Sequence, residues 1–103
     1  MKYDIVRYVI DLNDSMMYFL NASEDTYETQ EQVKSALSEI IKKDSEIDYD
    51  GLVHLYAVSD LPSFKENNGI IKMDFYASAT LDNVTKGRLA DYTKKHRMDC
   101  RFI

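Results

Sequence analysis

Residues 16–20 read Met-Met-Tyr-Phe-Leu, an unbroken apolar run with no charge, glycine or proline inside it. How this run is read decides the fold. Five apolar residues are too few to show a period, so the run is either a returning strand or a short helix capped by Asp14 or Ser15. As a strand it completes a pattern that occurs twice along the chain: two apolar extended runs, then a helix. The first instance is Tyr3–Leu12, Ser15–Asn21 and Gln30–Lys43. The second is Leu52–Ser59, Ile70–Ala79 and Leu81–Arg97, followed by an apolar tail, Cys100–Ile103.

The strand reading, which we adopt, predicts an α+β domain of order ββαββαβ. Its sheet is expected to be antiparallel, of four or five strands, with two helices packed on one face. Without Met16–Leu20 the order becomes βαββαβ, the ferredoxin-like arrangement. In the first run Val6, Tyr8, Ile10 and Leu12 alternate against Tyr3, Ile5 and Val9, so both faces are apolar. Strands of that kind are interior or covered on both sides. Asn13-Asp14 then predicts a two-residue turn.

The first helix is well specified. Thr29 and Gln32 have the spacing of a capping box. Val33, Ala36, Leu37, Ile40 and Ile41 form one apolar stripe, and Lys42 and Lys43 fall in the last turn, where the helix dipole favours cations. The second helix is weaker. Thr80 is its expected N-cap, Gly87 interrupts it, and Leu81, Val84, Leu89 and Tyr92 are its expected buried stripe.

The chain has 103 residues, 45% apolar and 30% charged, the composition of one globular domain. Cys100 is the only cysteine, which excludes an intramolecular disulfide framework. The sequence shows no signal segment at its start, and its longest apolar run is far below the roughly 20 residues of a membrane span. A cytoplasmic protein is the expectation. The formal charge of −5 is uneven: residues 1–79 hold 7 basic and 15 acidic side chains, residues 80–103 hold 6 and 3.

No constellation of catalytic type stands out. The acidic loop from Asp44 through Glu46, Asp48 and Asp50 to Gly51 has part of a calcium-loop spacing. Position twelve, which should carry a bidentate carboxylate, is Ala57. A solvated loop or an acidic patch facing a basic partner explains it better. Lys94, Lys95, Arg97 and Arg101, with His96 among them, offer a phosphate-binding alternative, opposed by a sequence pI near 4.9. Asp11 at a strand end is a candidate Mg²⁺ ligand for a small phosphodiesterase, the weakest of the readings, since an Asp there equally forms turns. His54 and Cys100 read as core residues rather than as catalysts. Glycine-rich phosphate loops are excluded, because Gly51, Gly69 and Gly87 are isolated.

Eight tyrosines and five methionines without tryptophan fit an interaction surface, with Tyr18, Tyr27, Tyr49 and Tyr76 at the less buried positions. An AT-biased genome would encode the same composition. The expectation is therefore a small acidic, non-catalytic protein-binding module of inhibitor, immunity or adaptor type, such as phages and mobile elements encode. It needs no cofactor and no metal. Its expected contacts are Glu24, Asp25, Glu28, Asp44, Glu46, Asp48, Tyr49 and Asp50, occluding a basic site on a partner protein, for which a nucleic-acid-binding protein is one candidate. An edge strand offers a further route, to a homodimer.

Overall fold

The structure, a computed structural model, describes residues 3–22, 26–44, 51–60 and 72–103. The elements are β1 (Tyr3–Asp11), β2 (Met16–Ala22), α1 (Gln30–Asp44), β3 (Leu52–Asp60), β4 (Lys72–Ala77), α2 (Asn83–Lys95) and β5 (Cys100–Phe102). Met16–Leu20 thus lies in a strand, and the alternative that omitted it falls away. Residues 70 and 71, expected to open the fourth strand, lie outside the described residues.

The strands form one sheet in the order β2-β1-β3-β4-β5. β1 pairs antiparallel with both β2 and β3, and β3 pairs antiparallel with β4. β4 and β5 run parallel. The sheet is therefore mixed, not antiparallel as expected, and the ferredoxin-like arrangement is not what forms. The cause is α2, a crossover that returns the chain to the starting end of β4; a tight hairpin would have reversed it.

The helices are not on one face. Adjacent strand residues point to opposite sides of a sheet, and the register places Ile5 beside Val58 and Ile10 beside Val53. Tyr3, Ile5 and Tyr56 pack with Val33, Leu37 and Ile41 of α1. Ile10, Val53, Leu55 and Ala77 pack with Leu89 of α2, with Tyr92 alongside. Leu55 and Tyr56 are neighbours in sequence, yet each is buried under a different helix. The fold is thus helix, sheet, helix. Apolar residues on both faces of β1 and β3 are its sequence signature. Burial of Leu37 and of Leu89 stabilises each layer by about 1.5–3 kcal/mol.

Local chemistry sets the element ends. Gln32 N donates to Thr29 Oγ1 at 3.2 Å, and Gln32 Oε1 accepts from Glu28 N at 3.0 Å, one residue before the expected capping-box donor. α2 is capped by Asp82, not Thr80: its carboxylate accepts from Thr85 N at 2.7 Å and from Thr85 Oγ1 at 3.0 Å. Thr80 instead bonds Ser78 Oγ. The buried face of α2 runs through Leu89 and Thr93, and Val84, out of phase with it, is 75% exposed.

The β1–β2 turn has four residues, Leu12–Ser15, closed by the pair Asp11 and Met16. Asp11 Oδ1 accepts from Asn13 N at 3.0 Å and Asp14 N at 3.3 Å, which a two-residue turn would not allow. Ser15 takes up a φ of 54° to re-enter the sheet. Asn13 also accepts from Arg88 of α2 at 3.2 Å, and Gly51, at φ 83°, passes so close that a side chain there would strike Asn13.

Candidate functional site

β2 closes one end of the sheet, and β1 is its only strand neighbour among the described residues. Its sequence, Met-Met-Tyr-Phe-Leu-Asn-Ala, carries no charge. Met16, Tyr18, Phe19 and Leu20 are each at least 44% exposed, and Phe19 reaches 63%. On the β1 side Tyr18 pairs with Val9 and Phe19 with Tyr8, whose rings meet edge-on at 6.1 Å. The opposite flank of the strand presents main-chain groups that no described strand takes up.

That is an unusual edge. Sheets end on short strands, charges, prolines or bulges, which stop another chain from adding on. β2 has one such device, a register shift between Arg7 and Tyr8 that leaves Leu20 as an extra residue. Met16–Phe19 keep a regular pairing. The signal was legible in the sequence as five apolar residues without alternation or charge. Its exposure is not legible there, because exposure depends on where β2 falls in the strand order.

The acidic candidates divide. Glu24, Asp25, Glu46, Asp48, Tyr49 and Asp50 lie outside the described residues, and Glu28 is exposed. Asp44 is not a surface acid. It is buried at the end of α1, where the helix dipole disfavours a carboxylate. Arg7 Nη2 compensates at 2.8 Å and Tyr56 Oη donates at 2.7 Å, so Asp44 pins α1 to the middle of the sheet. Asp44 is engaged inside the molecule rather than offered to a partner.

The basic candidates do not converge. Lys94 and Arg97 border one groove with Met98, Asp99 and Phe102. Lys95 borders a second with Arg88, Asp91 and His96, where the His96 ring lies 4.4 Å from that of Tyr92. Arg101 borders a third, on the α1 face, with Lys34, Asp74 and Tyr76. Four cations that look clustered along the chain open onto three surfaces.

Asp11 is committed to the turn amides, and no group of three His, Cys, Asp or Glu side chains suited to a metal ion occurs among the described residues. His54 lies against Tyr56 with ring centroids 6.5 Å apart, and its Nδ1 is buried without a described partner. Cys100 is half-buried, and that burial pushes its thiol up to about 11. No described helix is long and apolar enough to cross a membrane. Compared with protein-family models, curated proteins and solved structures, the chain finds no match in any of the three.

Proposed function

We propose that this chain is a non-catalytic protein-binding module that works by strand addition at β2. One observation carries the reading: an uncharged edge strand with four large apolar side chains exposed along it. In strand addition the main-chain groups of the edge supply affinity, and side chains on alternate faces supply selectivity. The chain's charge of −5 favours a partner with a basic surface, as an inhibitor or adaptor that covers a basic site would meet.

The test compares retention of host proteins by the wild-type chain, by Phe19→Lys and by the triple amide Glu46→Gln, Asp48→Asn, Asp50→Asn. A partner retained by wild type and lost by Phe19→Lys supports the edge. Additional loss with the amide variant, and weakening by salt, supports a basic partner surface. Retention indifferent to Phe19→Lys sinks the edge reading. A second reading, phosphate binding, has the support of Lys94 and Arg97 sharing a groove. Gel-shift with single- and double-stranded oligonucleotides at low salt tests it, and an unshifted band rejects it.

A further inference from the structure

We infer that a second copy of this chain pairs with β2 across a two-fold axis at Tyr18, antiparallel, joining two sheets into one. The inference rests on the reading of β2 as a binding edge: in the absence of a partner strand, a second copy occupies it.

Self-pairing suits this strand for reasons that a generic apolar patch would not supply. An antiparallel pair of identical strands is isologous, so residues equidistant from the axis meet each other. With the axis at Tyr18, the middle of the exposed run, Tyr18 meets Tyr18 of the other copy, and Met17 meets its Phe19. Thioether against aromatic ring is a favourable contact. Tyr18 pairs with Val9 and Phe19 with Tyr8 inside one copy, so these contacts extend existing rows on the two faces of the sheet. Asp14, the nearest acid, falls opposite Ala22, not opposite another acid. Two chains of charge −5 repel in general, and this uncharged edge is where they can approach.

Four large side chains near half exposure offer on the order of 400 Å² of surface per copy, about half of a standard partner footprint. Main-chain groups add to this, and so small a footprint suits a concentration-dependent pair rather than a permanent one.

The experiment is a single-cysteine scan at positions 16–20 in a Cys100→Ser background, oxidised under mild conditions, beside sedimentation of the wild-type chain from about 5 µM to 1 mM. Residues on the axis come within the 4.4–6.8 Å Cα separation that a disulfide spans, and each step away along antiparallel strands adds about 7 Å along the strand. Tyr18→Cys is expected to give the highest covalent-dimer yield, at least about fivefold above Met16→Cys and Leu20→Cys. Sedimentation should show dimer that strengthens with added salt, the opposite of a complex with a basic partner. Equal crosslinking at all five positions, or dimer retained in Phe19→Lys, overturns the antiparallel β2 pairing. A monomer throughout the range, with no crosslink, overturns the second copy. The strand-addition reading fails separately, through host-protein retention that Phe19→Lys leaves unchanged. Should Phe19→Lys unfold, as circular dichroism would show, the cysteine scan decides alone.

Discussion

β2 and β5 end the same sheet in opposite ways. β2 runs seven residues without a charge and shows most of its side chains to solvent. β5 runs three, carries Arg101 in the middle, and turns Cys100 and Phe102 into the cluster beneath α2. Its far end is tied down by Ile103 N to Ala77 O at 3.0 Å and Ala79 N to Ile103 O at 2.9 Å. The difference teaches how little of an edge's character follows from pairing alone. Among the described residues both strands have one strand neighbour, but β5 turns its apolar side chains into the core, whereas β2 keeps most of its own outside. β5 reads as a terminus of the fold and β2 as a place where the sheet can continue.

The sharpest contrast is in thiol reactivity. Burial raises the Cys100 thiol to about 11 from an ordinary 9.0. Two units leave about 100-fold less thiolate at pH 8, so alkylation by iodoacetamide should be about 100-fold slower than at a cysteine placed on β2 by Phe19→Cys in a Cys100→Ser background. The sign is checkable. A raised thiol value means the buried neutral form stabilises the fold below the unfolded value, and that stability declines as pH rises from about 9 toward 11. Equal rates at the two edges would show that β5 opens as freely as β2 is exposed.

Next in size is folding stability. Phe102 is half-buried in the α2-side cluster, with the Lys86 ammonium 5.6 Å from its ring centroid. Phe102→Ala should cost about 2 kcal/mol in urea unfolding and leave self-association unchanged. Phe19→Ala should cost under about 1 kcal/mol and weaken association. A reversal of either half of that pattern would exchange the roles of the two edges.

The sequence made the elements readable because each has a local cause. The α1 stripe at Val33, Leu37 and Ile41 is the buried face, and Thr29 is the cap. The double-sided apolar pattern of β1 and β3 already implied cover on both faces. That cover comes from α1 on one side and α2 on the other, not from two helices on one face. The parallel β4–β5 pair was not legible, because strand direction follows from where α2 delivers the chain, a tertiary property. Asp82 outcompeted Thr80 as the cap, and the buried face of α2 runs through Leu89 and Thr93, which leaves Val84 in solvent. At the candidate site, the run Met16–Leu20 was visible, but exposure depends on strand order, which local pattern does not encode. The acidity of Asp44 was visible too. Its burial was not, since its partners Arg7 and Tyr56 come from two strands distant in sequence, β1 and β3.

Asp82 gives a pH-dependent test confined to the α2 side. Hydrogen bonds from Thr85 N and Thr85 Oγ1 hold its carboxyl below the ordinary 3.8. A depressed carboxylate stabilises the fold above its unfolded value and loses that contribution as pH falls through the folded one. Asp82→Ala should therefore lower Tm at pH 7, with the gap from wild type closing below pH 3.8. Self-association through β2 should not change, because the hydrogen bonds that are lost lie within the first turn of α2.

The smallest expected effect is the most pointed. Arg101 is the only charge on β5, and the rule that charges blunt edges would make it what keeps that side closed. Length argues otherwise. Three residues pair only Phe75–Cys100, Tyr76–Arg101 and Ala77–Phe102 with β4, and an added strand would find at most one or two outward main-chain groups there. Arg101→Val should leave the sedimentation profile within error of wild type, even though it makes β5 as uncharged as β2. A new, tighter association in Arg101→Val would show that charge, not length, separates the two edges. Its absence would show that the seven-residue extent of β2 matters as much as its apolar side chains.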